Sequence, residues 1–210
     1  MDASIFKYNK GTHFNYIQIA YGFLIEAFQE LTSNHYNAKQ NNENTIRDEL
    51  VKIAQKKKNK DFIFYWNTES RDLEKSNRID IELVPPYALD DFNKVIKIEC
   101  KIVGEDKYID TESSFNRKNS PTNGIMSFIT GKYSPDMPLA GMIGFIKEGK
   151  IELKIKNIKN RIDNHIAINT IQNLVQISIT DSFNYSYHSK HKRYNGLKKI
   201  DIYHLFFDFT

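Results

Sequence analysis

The chain has 210 residues, and its content of 40% hydrophobic and 13% aromatic residues excludes a largely disordered protein. Its formal net charge of +4 is compatible with a nucleic-acid partner but does not require one. The single cysteine, Cys100, excludes an internal disulfide framework, as is typical of proteins from a reducing cytoplasm.

Other sequence features indicate a simple organisation. We find no signal-peptide pattern and no apolar run long enough to span a membrane. Internal repeats and linker-like segments are absent as well. We therefore expect one domain over residues 1–210 and a cytoplasmic location.

Two helices are predicted in the first third of the chain. Apolar residues at three- and four-residue steps predict a largely buried helix over 13–36 and a second helix over 43–54. At about 100° per residue, Glu43 falls within the apolar stripe of the second helix and Glu49 lies at its flank. We interpret residues 61–66 as a strand and 67–77 as a charged loop.

Two amphipathic strands follow, over 78–83 and 94–103, and the short connection with Pro85 and Pro86 favours an antiparallel pair. With a period of two, Asp80 lies on the charged face of the first strand, and Glu99 and Lys101 lie on that of the second. If the two charged faces are adjacent, these three side chains converge. The alternative is a pair of strands whose charged faces are simply solvated.

The rest of the chain is predicted to contain a polar loop over 104–121, a short helix over 122–129 and a buried strand over 139–146. The two glycines of that strand indicate close approach by a neighbouring element. A hairpin turn at 147–150, a strand over 151–156 and a short helix over 158–166 are expected next. Mixed structure over 171–180 and an apolar closing strand over 200–209 complete the prediction.

Asp80 followed by Glu99-x-Lys101 resembles the signature of the PD-(D/E)XK nuclease superfamily, although Ile79 replaces the usual proline before the aspartate. The predicted order of helix, three strands, helix and strand agrees with this resemblance. It implies an α/β fold with a restriction endonuclease-like core, in which helices flank a mixed central sheet. It also implies cleavage of phosphodiester bonds in DNA with Mg²⁺ (or Mn²⁺).

The resemblance also implies roles for individual residues. Asp80 and Glu99 would hold the metal, the carbonyl of Cys100 would add a ligand, and Lys101 would assist the attacking water. Members often place a glutamate on the first core helix, which makes Glu43 a candidate catalytic residue, with Glu49 in reserve. The other interpretation of Glu43 is a charge favoured by the helix dipole.

Four basic residues are candidates for contact with nucleic acid. Arg78 neighbours the predicted site, and Lys132 is either a substrate-facing or a surface charge. His191 and Arg193 belong to a tyrosine-flanked basic run at 187–194 that could grip a backbone and stack on a base. A solvated hairpin tip is the alternative for that run.

The sequence contains no separate DNA-reading motif, and a minimal nuclease that was always active would harm its host. We therefore expect a partner protein to activate or target the enzyme. The run Ser189-x-His191-x-Arg193 resembles late segments of small defence-associated nucleases of the superfamily, and this resemblance implies the nuclease subunit of a bacterial anti-phage defence complex, with an ATPase as one candidate partner. A catalytically silent subunit that binds nucleic acid or assembles a complex is the alternative. Nothing in the sequence separates DNA from RNA as the substrate.

Overall fold

The computed structural model describes residues 10–57, 65–72, 77–84, 95–104, 108–109, 124–133, 135–165, 168–194 and 198–210. Within these ranges the chain forms four α-helices and seven β-strands. The helices are α1 (Lys10–Ser33), α2 (Glu43–Lys57), α3 (Gly124–Ile129) and α4 (Ile151–Asn164). The strands are β1 (Tyr65–Asp72), β2 (Asn77–Val84), β3 (Ile96–Ile102), β4 (Leu139–Ile146), β5 (Thr170–Gln176), β6 (Ser186–Lys192) and β7 (Lys199–Asp208).

The seven strands form one mixed sheet in the order β1-β2-β3-β4-β7-β6-β5. The three central strands β3, β4 and β7 are parallel, and the strands on either side of them pair antiparallel. The protein is therefore an α/β protein with helices flanking a mixed sheet, as the sequence predicted. None of the helices in the described ranges has the length and apolar character needed to cross a bilayer.

Along the inner strands, apolar side chains point alternately to the two faces of the sheet. Helices therefore cover both faces. Ile98, Cys100 and Ile143 belong to a core cluster that includes residues of α1 and α2. Met142 and Phe206 point to the opposite face and join a second cluster with residues of α3 and α4. The buried second face explains why the charged side chains of β3 are also largely removed from water.

The two glycines of β4 do allow close approach, as predicted. A Cβ atom at Gly141 would lie 2.8 Å from the side chain of Ile98 and would collide with the hydroxyl of Tyr21. That hydroxyl donates a hydrogen bond to the carbonyl of Tyr203 (2.9 Å) and thereby ties α1 to the sheet. A Cβ atom at Gly144 would lie 2.7 Å from both Phe206 and Val103.

Several predicted elements are confirmed. The two N-terminal helices, the antiparallel pair β2 and β3, the short helix α3, the buried strand β4 and the closing strand β7 all form. Residues 85–94 and most of 104–121 lie outside the described residues, as do 61–64 at the start of the strand predicted over 61–66. The closing strand is the third central strand of the sheet and not an exposed surface.

The prediction of a charged loop over 67–77 was wrong for 67–72, because residues through Asp72 form β1 and pair with β2, while residues 73–76 lie outside the described part of the chain. This strand lies at the edge of the sheet, where polar side chains reach water on one side. Tyr65 and Asn67 are exposed while Trp66 between them is buried. Because only one face of β1 is buried, its sequence contains too few apolar residues to indicate a strand.

The prediction of a strand over 151–156 was also wrong, because this segment begins α4, which continues through most of the helix predicted over 158–166. The bend at 148–149 therefore leads into a helix and is not a hairpin turn. Ile151, Ile155, Ile158 and Ile162 are buried on one side of a single helix, whereas Leu153 is exposed. Spacings of four, three and four are helical. The alternation of Ile151, Leu153 and Ile155 imitated a strand because it covers too few residues to separate the two periods.

Candidate active site

The candidate site lies where β2 and β3 separate. The two strands pair from Leu83 with Ile96 to Ile81 with Ile98. Beyond that point, side-chain carboxylates accept the hydrogen bonds of the β3 backbone. The amide of Cys100 donates to Oδ2 of Asp80 (2.8 Å), and the amide of Ile102 donates to Oε2 of Glu43 (3.0 Å).

The ammonium group of Lys101 lies among three carboxylates. Its Nζ atom is 2.9 Å from Oε1 of Glu99, 3.1 Å from Oε1 of Glu43 and 3.5 Å from Oδ2 of Asp80. It also donates to the carbonyl oxygen of Cys100 (2.6 Å). The structure therefore brings together the five residues that the sequence analysis assigned to catalysis and metal binding.

Glu43 rather than Glu49 completes this cluster. Glu43 is the first residue of α2, and the side chain of Asn42 caps the helix by accepting the amide of Thr45 (2.9 Å). Glu49 instead pairs with Lys52 at 3.2 Å on the outer side of the helix. Glu43 therefore lies on the side of α2 that faces the core, as its position within the apolar stripe predicted.

Arg47 is a member of the cluster that the sequence analysis missed. It is fully buried, and its guanidinium group donates to Oδ1 of Asp80 (3.1 Å) and to Oδ1 of Asp48 (2.8 Å). Both oxygens of Asp80 therefore have protein partners. A signal was present, since Arg47 lies one helical turn after Glu43 and next to Ile46 in the stripe that faces the core.

Burial and charge perturb the ionisation of the cluster. Burial raises the pKa of Glu99 to about 7, against the opposing charge of Lys101. Burial alone would lower the pKa of Lys101, but the adjacent carboxylates of Glu99, Asp80 and Glu43 outweigh it and raise that pKa. Lys101 is therefore a stable cation at neutral pH, and Glu99 titrates near neutrality. Such perturbed carboxylates are typical of functional sites.

Tyr133 is a second residue that the sequence did not reveal. It is buried just after α3 and packs edge-on against Phe128, with ring centroids 5.7 Å apart. Burial and the charges of Glu99 and Asp80 raise the pKa of its phenol, which keeps it neutral beside the carboxylates. It follows Gly131 and Lys132 in an irregular turn, where no periodic pattern could indicate its direction.

The residues that the sequence analysis predicted to contact nucleic acid lie in different parts of the structure. Lys132 is half-buried, and its ammonium lies 4.9 Å from the centre of the Tyr133 ring, so it adjoins the cluster. The backbone of Arg78 pairs with Arg71 in β1, but its side chain lies outside the described part of the structure.

His191 and Arg193 lie in the protein interior, and the run at 187–194 is mostly strand β6 rather than a hairpin tip. Arg193 is 2% exposed and donates to the carbonyl oxygens of Phe128 and Met137, the latter at 2.8 Å. Burial lowers its pKa to about 10. In this structure neither side chain offers a surface to a nucleic acid, and Arg193 serves to join α3 to the segment before β4.

His191 belongs to a buried chain of hydrogen bonds. Its Nε2 atom is 2.8 Å from the hydroxyl of Ser189, which is 2.8 Å from Nε2 of His204. Nδ1 of His204 is in turn 2.9 Å from the hydroxyl of Tyr108. The alternating apolar pattern of β7 did not indicate that its one histidine would find polar partners inside the core.

The donor set of the cluster fits a hard divalent cation in its chemistry. Asp80, Glu99 and Cys100 offer carboxylate and carbonyl oxygens, which Mg²⁺ and Mn²⁺ prefer. With Glu43, Arg47 and Lys101 included, and with all three carboxylates ionised, three negative and two positive charges leave a net charge of −1. Among the described residues, however, no three acidic, histidine or cysteine side chains form a ready-made metal site. The lysine ammonium now lies between the carboxylates and would have to shift for a metal to bind.

Comparison with known proteins adds no family to this geometry. No protein-family model, no curated protein and no solved structure matches the chain.

Proposed function

We propose that this protein is a metal-dependent endonuclease of the PD-(D/E)XK type that cleaves phosphodiester bonds in DNA. The observation that carries the proposal is the convergence of Asp80, Glu99 and Glu43 on the ammonium of Lys101. Acidic side chains next to a lysine, at the point where two strands separate, supply what metal-assisted phosphodiester hydrolysis requires.

The topology supports a restriction endonuclease-like core. The hairpin of β2 and β3 carries the three signature residues, α3 follows it, and β4 then pairs in parallel with β3. The helix α2, which precedes these elements, carries Glu43. This arrangement agrees with the order of helix, three strands, helix and strand that the resemblance implied.

Each residue has a distinct proposed role. Asp80, Glu99 and the carbonyl of Cys100 would hold Mg²⁺ or Mn²⁺, which when bound polarises the phosphate and lowers the pKa of water. Lys101 would orient the attacking water or stabilise the negative charge that develops on the phosphate. Glu43 fixes Lys101 and the end of β3 through one oxygen each.

We also propose that a partner protein activates or targets the enzyme in a bacterial anti-phage complex, with an ATPase as one candidate. The need for a partner rests on the lack of a recognisable DNA-reading motif in the sequence, whereas the anti-phage setting and the ATPase rest on the resemblance to defence-associated nucleases. It predicts that purified enzyme cleaves weakly and without sequence preference until the partner is added. A partner that binds and leaves cleavage unchanged would contradict it.

A second function has a specific observation in its favour. Both oxygens of Asp80 accept hydrogen bonds from the protein, and Lys101 already pairs with the carboxylates around it. A catalytically silent subunit would keep such an internally satisfied network, because the loss of any one partner would leave a buried charge uncompensated. That protein would bind nucleic acid or assemble a complex without cutting.

A plasmid-cleavage assay separates the two functions. Wild type, Asp80→Asn and the control Asp163→Asn, an exposed aspartate of α4, are incubated with plasmid and Mg²⁺ or Mn²⁺, with and without candidate partners. The proposal expects cleavage by wild type and Asp163→Asn and none by Asp80→Asn. Intact DNA binding without cleavage under every condition would favour the silent subunit.

A further inference from the structure

Two adjoining cavities open near the candidate active site, at the carboxyl ends of β3 and β4. The first has a volume of about 470 Å³, and its described lining residues are Lys39, Ile102, Val103, Gly104, Lys147 and Glu148. The second, of about 420 Å³, shares Val103 and Gly104 with the first and extends along α4. In open α/β sheets, ligands bind outside the carboxyl ends of the parallel strands.

Most of the charged residues in the described lining of the two cavities are cationic. Lys154 and Arg161 of α4 line the second cavity, and the described part of that lining includes no carboxylate. Lys154 is half-buried, and within the described part of the chain its ammonium has no hydrogen-bond or ion-pair partner. A partly desolvated cation of this kind gains most from an anionic ligand.

The cavities connect to the carboxylate cluster through the backbone. Ile102 lines the first cavity, and its amide donates to Glu43. Lys147 lines the same cavity, and its ammonium donates to the carbonyl of Asn41, two residues before Glu43 (2.8 Å). The cationic lining therefore begins at the edge of the candidate active site and leads away from it.

We infer that these two cavities form a track for the phosphate backbone of the nucleic acid, along which Lys154 and Arg161 of α4 contact phosphates next to the cleaved bond. The inference rests on the proposed function and adds a substrate path to it. Tyr108 also lines the second cavity, but its side chain is only 2% exposed and its hydroxyl is hydrogen-bonded to His204. The described lining therefore offers no open ring on which a base could stack, and its lysine, arginine and asparagine side chains contact phosphates rather than read bases. It therefore gives affinity without sequence preference.

The chain provides a matched control on the same helix. Lys156 and Lys159 are exposed, do not line either cavity and carry the same charge as the pair to be tested. Binding of fluorescent duplex DNA, single-stranded DNA and RNA is measured by anisotropy in EDTA, so that nothing is cut. The proteins are wild type, Lys154→Gln, Lys154→Gln/Arg161→Gln and Lys156→Gln/Lys159→Gln, each checked for an unchanged melting temperature.

The inference expects the Lys154→Gln/Arg161→Gln variant to bind at least one of the three nucleic acids about tenfold more weakly, with a salt dependence reduced by up to about two charges. The Lys156→Gln/Lys159→Gln variant should remain within about twofold of wild type. Equal effects of the two double variants, or no binding of any of the three nucleic acids by wild type, would overturn the inference. If the wild-type protein never cleaves DNA and only the cavity variants lose binding, the track is supported and the nuclease function is rejected.

Discussion

The guanidinium group of Arg47 holds the carboxylate of Asp80 in place from a neighbouring helix, with Nη1 and Oδ1 3.1 Å apart and the arginine fully buried. The second oxygen of Asp80 is fixed by the amide of Cys100. The orientation of Asp80 is therefore set by α2 and β3 together. Arg47 is a positioning residue, since it acts through Asp80.

Removal of one partner from this buried pair should be costly. We expect Arg47→Met to lower the free energy of unfolding by about 3 kcal/mol, because the buried Asp80 carboxylate then keeps only the Cys100 amide and the more distant Lys101 ammonium as partners. The double variant Arg47→Met/Asp80→Asn should recover most of this loss but remain inactive. Chemical denaturation and a cleavage assay check both statements, and a double variant no more stable than Arg47→Met would contradict the pairing.

Lys101 should affect metal binding and cleavage in opposite directions. Loss of its positive charge changes the net charge of the cluster from −1 to −2 and removes the ammonium from among the carboxylates. We expect Lys101→Met to bind Mn²⁺ about tenfold more tightly in calorimetric titration, the equivalent of about 1.4 kcal/mol, while cleavage is abolished. Lys52→Met, an exposed change on α2, should alter neither, and weaker Mn²⁺ binding by Lys101→Met would count against the proposed metal position.

The amphipathic alternation of β2 and β3 was sufficient to predict the meeting of Asp80, Glu99 and Lys101, since a period of two fixes which side chains share a face. Arg47 was not predicted because a charged residue in an apolar stripe shows no partner until the helix is docked. The first half of α4 was predicted as a strand because a strand and a helix period coincide over a few residues, whereas its second half agrees with the helix predicted over 158–166. The burial of His191 and Arg193 depends on β6 pairing with β7, a contact that no local pattern of the sequence encodes.

The buried histidines should make the protein sensitive to acid. Burial lowers the pKa of His191 to about 4, whereas an unfolded histidine titrates near 6.5. The unfolded state therefore binds more protons between these pH values, and the free energy of unfolding contributed by His191 falls as the pH drops from 6.5 to 4. Burial also lowers the pKa of His204, with the same sign.

Glu99, whose pKa is raised, has the opposite effect on the free energy of unfolding over part of this pH range. Comparison of two variants with wild type isolates the effect of His191. The difference in unfolding free energy between wild type and His191→Gln should shrink by about 3 kcal/mol between pH 7 and pH 4. The corresponding difference for Asn34→Gln, an exposed change after α1 that removes no titratable group, should stay nearly constant. Denaturation at several pH values gives both differences, and equal slopes would show that His191 is not protected from protonation.

Two glycines should respond oppositely to alanine. We expect Gly144→Ala to destabilise the protein by about 1–3 kcal/mol, because the new methyl group would meet Phe206 and Val103 in the packed sheet. Gly22→Ala in α1 should instead stabilise it by up to about 1 kcal/mol, since no described atom outside the adjacent residues and the helix's own backbone lies within 4 Å of the added Cβ, and alanine favours a helix. Thermal unfolding measures both, and a Gly144→Ala variant as stable as wild type would contradict the close packing of β4 against β3 and β7.

The most direct test of the proposed chemistry is the rate of Mg²⁺-dependent plasmid cleavage by wild type and Glu99→Gln, with Glu26→Gln, an exposed change on α1, as the control. The substitution keeps the shape of the Glu99 side chain and removes a charge that lies 2.9 Å from Lys101. We predict that wild type and Glu26→Gln cleave at equal rates and that the cleavage rate of Glu99→Gln is at least about a hundredfold lower. Cleavage by Glu99→Gln at the wild-type rate would contradict the assignment of this cluster as the active site.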